Sequence, residues 1–84
     1  MSAPDVMATV YTRPGCRVCE EALSELALIG TEFPDLRVAT VDIDQDDELL
    51  KRYLERIPVV VIDGDEISDL VLDGDAVRSR LLNS

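Results

Sequence analysis

The chain contains no histidine and no tryptophan, and basic residues are scarce: eight Lys and Arg stand against 18 Asp and Glu, giving a formal net charge of -10. Nucleic-acid affinity comes from Lys and Arg that neutralise phosphates. The charge therefore argues against a nucleic-acid partner, and against a basic membrane-binding patch for the same reason. The simplest interpretation of the acidity is a solvated, self-repelling surface. The alternative is an acidic face that meets a basic partner protein.

Long hydrophobic runs are also lacking. No stretch approaches the roughly 20 apolar residues that a membrane span needs, and residues 1–10 have no basic region before an apolar run, as a secretory signal would. We therefore expect no membrane association and a cytoplasmic location, where structural disulfides are rare. The length of 84 residues predicts a single domain over residues 1–84. With only three aromatic residues, its core must be built from Leu, Ile, Val and Ala.

Alternating strands and helices follow from the apolar pattern. Runs rich in β-branched residues predict strands at residues 6–11, 36–43, 59–62 and 66–72. Apolar residues at steps of three and four predict helices at residues 16–29, 46–56 and 76–82. We expect Gly30 to stop the first helix and Asp63-Gly64 to form a hairpin turn. The order β-α-β-α-β-β-α predicts an α/β fold with a four-stranded mixed sheet flanked by helices.

The two cysteines, Cys16 and Cys19, have C-x-x-C spacing at the start of the first predicted helix. That spacing places both on one side of the first helical turn, close enough to join. A thiolate is the reactive form of cysteine, and the free N–H groups at a helix start stabilise it. We expect Cys16 to be the more acidic and more exposed thiol, with Cys19 shielded. The pair then predicts redox chemistry rather than a structural role.

Charged residues surround the predicted dithiol. Arg13 and Arg17 flank it and would stabilise a thiolate, whereas Glu20 and Glu21 would oppose ionisation if their carboxylates face the sulfur. In the predicted mechanism, the first cysteine attacks a substrate disulfide and forms a mixed disulfide. The second cysteine then resolves it, which leaves an internal disulfide for an electron donor to reduce.

Two alternatives to redox chemistry remain for the cysteine pair. Structural zinc usually has four Cys or His ligands, and this chain has no His and no third Cys. A metal site would therefore need carboxylates or a second subunit, and we assign no metal ligand. The other alternative is a pair of inert, buried thiols.

Residues 11–19, Tyr-Thr-Arg-Pro-Gly-Cys-Arg-Val-Cys, resemble the active-site segment of glutaredoxins and their glutaredoxin-like relatives. Ile57-Pro58, just before the third predicted strand, resembles the cis-proline that faces the dithiol in the thioredoxin fold. The resemblance covers nearly the whole chain and implies a glutaredoxin-like thioredoxin fold. It also implies that Pro58 is cis and that the backbone of Ile57 pairs with an extended substrate next to Cys16.

The resemblance further implies a thiol–disulfide oxidoreductase or electron carrier. Its substrate would be a disulfide-containing protein or a glutathione mixed disulfide, and its donor a reductase or glutathione. We expect a monomer with no tightly bound cofactor and glutathione as a co-substrate at most. Arg13, Arg52 and Arg56 are candidates to bind the carboxylates of glutathione, and the alternative role of Arg52 and Arg56 is to keep the surface soluble.

The sequence departs from glutaredoxins in two places. Arg17 and Val18 stand between the cysteines, where glutaredoxins usually carry Pro and Tyr. Residues 67–70, Ile-Ser-Asp-Leu, lack the Gly-Gly pair that cradles glutathione in glutaredoxins. Two alternative functions therefore remain open. One is a non-catalytic thioredoxin-fold module that binds partners through the Pro58 face, and the other is a dimeric metal or iron–sulfur carrier bridged through Cys16.

Overall fold

The computed structural model describes residues 6–83. The prediction that residues 1–10 carry no secretory signal lies partly outside the described residues, because residues 1–5 are not among them. The predicted single domain likewise extends beyond them at residues 1–5 and 84. The strands are Val6–Thr12 (β1), Leu36–Asp42 (β2), Val59–Ile62 (β3) and Asp65–Ser68 (β4). The α-helices are Arg17–Glu32 (α1), Asp47–Tyr53 (α2) and Gly74–Leu82 (α3), with a 3-10 turn at Ile43–Gln45. The predicted α/β class and element order are confirmed.

The four strands form one mixed sheet in the order β2-β1-β3-β4. The first strand pairs parallel with β2 and antiparallel with β3, and β3 pairs antiparallel with β4. In the β1–β3 register, Tyr11 lies opposite Val59. The loop that follows β1 and the residues that precede β3 therefore meet at the same edge of the sheet. No helix within residues 6–83 is long and apolar enough to cross a membrane.

Alternating residues of the sheet pack into two separate clusters. The larger cluster joins one face of the sheet to α1 and α3, and its buried members are Ala8, Val10, Leu26, Ile29, Leu36, Val60, Ile62 and Val77. The smaller cluster lies on the other face with α2, and its buried members are Ile43, Tyr53 and Val59. The predicted aliphatic core is confirmed, with one tyrosine added to it.

The prediction that Gly30 stops the first helix is wrong. Helix α1 continues to Glu32 and is capped by Phe33, whose N–H donates to the carbonyl of Ile29 at 3.1 Å. An internal glycine costs a helix only about 1 kcal/mol relative to alanine. Proline instead disfavours helical geometry in the residue before it, and Pro34 is the residue that ends the helix here.

The second helix and the fourth strand are both shorter than predicted. Helix α2 ends at Tyr53, and a tight turn follows in which the carbonyl of Tyr53 accepts the N–H groups of both Arg56 and Ile57. Strand β4 ends at Ser68 rather than at residue 72. Leu70 has a φ of 65°, and its N–H donates to the carbonyl of Arg56 at 2.8 Å. The chain therefore leaves the β3–β4 ladder and packs beside the segment that leads into β3.

Candidate functional site

A tight turn after β1 presents the first cysteine. The N–H of Cys16 donates to the carbonyl of Arg13 at 3.3 Å, with Pro14 and Gly15 between them. Gly15 has a φ of 79°. A type II turn requires a positive φ at its third position and commonly has proline at its second. The Arg-Pro-Gly-Cys turn therefore determines the position of Cys16 at the end of β1.

Cys16 is also the N-cap of α1. Its Sγ accepts a hydrogen bond from the N–H of Cys19 at 3.2 Å. The two cysteines form a disulfide, with their Cα atoms 5.2 Å apart, within the usual range for such bonds. Cys19 is only 2% exposed, whereas Cys16 is partly exposed. The predicted difference in exposure is confirmed, and the predicted difference in acidity stays a prediction.

The Ile57-Pro58 bond is cis, as the resemblance implied, and Pro58 is buried. The β1–β3 register places this bond at the sheet edge that also carries the cysteine loop. The N–H of Ile57 donates to the carbonyl of Tyr53 at 3.1 Å. The N–H of Ile57 is thus bonded within the protein, and the predicted backbone pairing of Ile57 with a substrate stays a prediction.

The two arginines predicted to flank the dithiol differ in their surroundings. The Nε of Arg13 lies 3.2 Å from the Oδ1 of Asp44, in the 3-10 turn after β2. Arg17 is exposed and lines a shallow groove along α1. The guanidinium of Arg13 thus interacts with a carboxylate of the protein, and Arg17 is the more accessible cation beside Cys16.

Arg56 links several parts of the site, which the sequence did not predict. Its Nε lies 3.1 Å from Asp69, its Nη2 pairs with Glu66, and its guanidinium lies 5.7 Å from the ring centre of Tyr53. That ring stacks on Tyr11, with centroids 4.4 Å apart. The hydrogen bond to Asp69 is the main reason that the pKa of Arg56 lies above its ordinary value. Nothing in the sequence pattern indicated that the β4 segment would reach this arginine.

Metal binding has little support in the described part of the chain. No group of three or more His, Cys, Asp or Glu residues within residues 6–83 is arranged to hold a metal ion. The alternative of a metal or cluster held by carboxylates or by a second subunit stays a prediction. The Cys16–Cys19 disulfide is consistent with a redox function.

Comparisons with known proteins agree with this geometry. Protein Mb0520 of Mycobacterium bovis is 30% identical over 89 residues, covering 100% of this chain and 89% of its own. Protein Ne2328 of Nitrosomonas europaea superimposes with a TM-score of 0.84 at 24% identity, over 95% of each chain. Thioredoxin of Fasciola hepatica superimposes with a TM-score of 0.65 at 20% identity, over 94% of this chain and 80% of its own. These two superpositions show that the chain has the thioredoxin fold.

The family model described as "Glutaredoxin-like domain (DUF836)" matches residues 8–82. The match includes both cysteines, the cis-proline and all three helices. The chain therefore belongs to the glutaredoxin-like domain family.

Proposed function

We propose that this protein is a thiol–disulfide oxidoreductase or electron carrier. The observation that carries the proposal is the position of Cys16: it caps α1, it is partly exposed, and it is bonded to the buried Cys19. A nucleophile needs access to its substrate, and a resolving thiol needs only access to the nucleophile. The two cysteines meet these different requirements.

The reaction follows from this arrangement. In the reduced protein, the thiolate of Cys16 attacks one sulfur of a substrate disulfide, forms a mixed disulfide and releases the other sulfur as a thiolate. Cys19 loses its proton and attacks the sulfur of Cys16, which forms the internal disulfide and releases the second substrate thiolate. The substrate gains two electrons and the protein loses two. An external dithiol, or two molecules of a monothiol, later returns them.

The helix start supports the first step. The N–H of Cys19 points at the sulfur of Cys16, and such N–H groups stabilise a thiolate more than a thiol. The carbonyl of Ile57, at the same edge of the sheet, would hold an extended substrate through a main-chain hydrogen bond. Cys16 is thus the nucleophile, Cys19 the resolving thiol, and Ile57-Pro58 the substrate edge, with Arg13 and Arg17 as charged neighbours.

Partners and conditions are part of the proposal. The substrate is a disulfide-containing protein or a glutathione mixed disulfide, and the donor is a reductase or glutathione. The protein acts as a cytoplasmic monomer and holds no tight cofactor, so glutathione takes part only as a co-substrate. The low-pKa thiol that this requires is expected at Cys16, because C-x-x-C thiols at helix starts commonly ionise below the roughly 8.5 of free cysteine.

The test is NADPH consumption with a small disulfide substrate. One arm contains glutathione and glutathione reductase, the other contains thioredoxin reductase, and each is repeated with Cys16→Ser and Cys19→Ser. We expect turnover in at least one arm, lost in Cys16→Ser. Cys19→Ser should accumulate a mixed disulfide, detected by mass spectrometry. Silence in both arms with a confirmed dithiol would overturn the proposal and favour the binding module.

A further inference from the structure

We propose that the preferred substrate is a protein disulfide flanked by Lys or Arg, which docks along α1, rather than a glutathione mixed disulfide. This inference rests on the proposed oxidoreductase function and names the substrate class for the same site. It depends on two independent features: where the arginines near the site are bound, and what lines the groove that leads away from Cys16.

The first feature is that two of the three arginines suited to glutathione carboxylates are already paired. Arg13 lies 3.2 Å from Asp44, and Arg56 bonds to both Asp69 and Glu66. The third, Arg52, lies over the ring of Tyr53, 6.0 Å from its centroid. Glutathione presents two carboxylates, so its binding would require breaking an internal ion pair or leaving a carboxylate near Asp44 or Asp69 without a cation. Both outcomes disfavour an anionic substrate.

The second feature is a shallow groove on the exposed side of α1. Its lining residues are Arg17, Glu20, Glu21, Ser24, Glu25 and Leu28. Arg17, the residue that follows Cys16 in the chain, is the lining residue nearest in sequence to the reactive cysteine. Among these lining residues three carboxylates stand against one guanidinium, a formal charge of -2. Glu20 and Glu21 are exposed, whereas Glu25 is partly buried and also interacts with Arg78 of α3. At its far end Leu28 is 65% exposed.

This lining fits one kind of occupant. An extended segment with its disulfide at Cys16 would place the following residues along the groove, where Lys or Arg side chains meet the glutamates and an apolar side chain meets Leu28. Complementary charge mainly raises the rate of encounter, and salt screens it. The net charge of -10 adds attraction for the same partner. It also repels an anionic glutathione disulfide, so the two features act in the same direction.

The test uses disulfide-linked dimers of three acetylated, amidated tetrapeptides that begin Cys-Gly and end Lys-Lys, Gln-Gln or Glu-Glu. Each is mixed with the reduced protein, loss of dithiol is followed in a single turnover, and rates are divided by those of dithiothreitol with the same peptide. We expect the Lys peptide to react about tenfold or more faster than the Glu peptide at low salt, within the range of electrostatic steering. The ratio should shrink at high salt.

Matched variants locate the effect. The triple variant Glu20→Gln, Glu21→Gln, Glu25→Gln should lose most of the preference for the Lys peptide. The control variant Asp35→Asn, Asp63→Asn, Asp65→Asn removes the same number of charges at the opposite end of the sheet and should keep it. A control variant that loses as much as the groove variant would overturn the groove proposal, as would equal normalised rates for the Lys and Glu peptides.

Failure of this inference and failure of the proposed function look different. If the neutral Gln peptide does not oxidise the dithiol, or if it forms a mixed disulfide just as fast with the single remaining thiol of Cys16→Ser, the oxidoreductase function itself is wrong. If the Gln peptide reacts through Cys16 but charge has no effect, only the substrate class is wrong. Oxidised glutathione, run as a fourth probe, should react more slowly than the Lys peptide, and a faster reaction would overturn the inference.

Discussion

The two faces of the sheet are covered by different kinds of side chain. The face under α1 and α3 is aliphatic, with eight buried residues in one cluster. The face under α2 has only three buried residues, and one of them is Tyr53, which stacks on Tyr11 and lies beneath two arginines. Helix α1 has 16 residues and α2 has seven. The first face provides most of the apolar burial, and the second is completed by aromatic and charged groups.

This difference divides the candidate site between the faces. The cysteines belong to the first turn of α1, so the large cluster positions the nucleophile. Ile57 packs against the small cluster and precedes the cis-proline, so the small cluster positions the proposed substrate edge. Changes in the large cluster should therefore destabilise the whole protein. Changes in the small cluster should cost less unfolding free energy and should mainly alter how the substrate edge at Ile57-Pro58 is positioned.

The largest expected effect comes from Leu26→Ala in the large cluster. Leu26 is fully buried on α1, and removing a buried leucine side chain typically costs about 2–5 kcal/mol of unfolding free energy. Urea unfolding followed by circular dichroism would measure the loss. Leu28→Ala on the same helix is the control, because Leu28 is 65% exposed and should change stability by less than about 0.5 kcal/mol. Equal effects of the two variants would contradict the assignment of the core.

The stacked tyrosines of the small cluster should give the second largest effect. Aromatic pairs contribute about 0.5–1.5 kcal/mol beyond the area that they bury. We expect Tyr11→Leu and Tyr53→Leu each to destabilise the protein, and the double variant to cost less than their sum by about that amount. Urea unfolding of all four proteins completes the cycle. Strict additivity would mean that the 4.4 Å ring contact adds nothing to stability.

The sheet face under α1 and α3 and the dithiol could be predicted from sequence, because both depend on patterns among residues close together in the chain. Apolar spacing marks the buried side of α1, and Pro14-Gly15 before Cys16 marks a turn that leads into a helix. The cis state of Pro58 was predicted only through the family resemblance, since few X-Pro bonds are cis. Its prediction therefore depended on the position of Ile57-Pro58 immediately before the predicted strand at residues 59–62, in a chain that also carries a C-x-x-C motif, and it was confirmed.

The charged groups on the sheet face under α2 could not be predicted, because their pairing depends on contacts between residues distant in sequence. Arg56 reaches Asp69 only because Leu70 turns out of β4 and bonds to the carbonyl of Arg56. A positive φ at a leucine is rare, so the pattern of residues 66–72 predicted a longer strand instead. The pairing of Arg13 with Asp44 likewise requires the parallel register of β1 and β2.

Arg56→Met tests whether the ion pairs of Arg56, on the sheet face under α2, help to position the substrate edge at Ile57-Pro58. Exposed ion pairs contribute at most about 1 kcal/mol to stability, so we expect only a small change in urea unfolding. The proposed oxidoreductase activity should fall by about three- to tenfold in kcat/KM, through a higher KM, because the side chains of Glu66 and Asp69 would no longer be tied to the segment that precedes Pro58. Arg56→Lys should restore part of the loss.

Arg78→Met is the matched control for that variant. Its guanidinium pairs with Glu32 between α3 and α1, and it is 37% exposed against 36% for Arg56. The control should lose a similar small amount of stability and no activity. If both variants lost activity equally, Arg56 would have no special role at the substrate edge.

The smallest expected effect is the pH dependence of the Glu32–Arg78 pair itself. The hydrogen bond from Arg78 holds the pKa of Glu32 below its ordinary value of 4.5. The folded protein therefore binds this proton less readily than the unfolded chain, so the pair stabilises the fold above about pH 5 and loses its effect as the pH falls through the lowered pKa. Glu32→Gln should lower Tm slightly at pH 7, and the difference from the wild type should shrink as the pH falls below the ordinary pKa of 4.5 and through the lowered pKa of Glu32.

Overall acidity complicates the absolute Tm values but not this difference. Protonating the many carboxylates relieves self-repulsion in every variant, so only the gap between wild type and variant reports the pair. Glu21→Gln is the control, because it removes one exposed charge of the same helix and Glu21 has no ion pair among residues 6–83. Its gap should not shrink in the same way on acidification. A pH-independent gap for Glu32→Gln at low ionic strength would show that the pair does not stabilise the larger face.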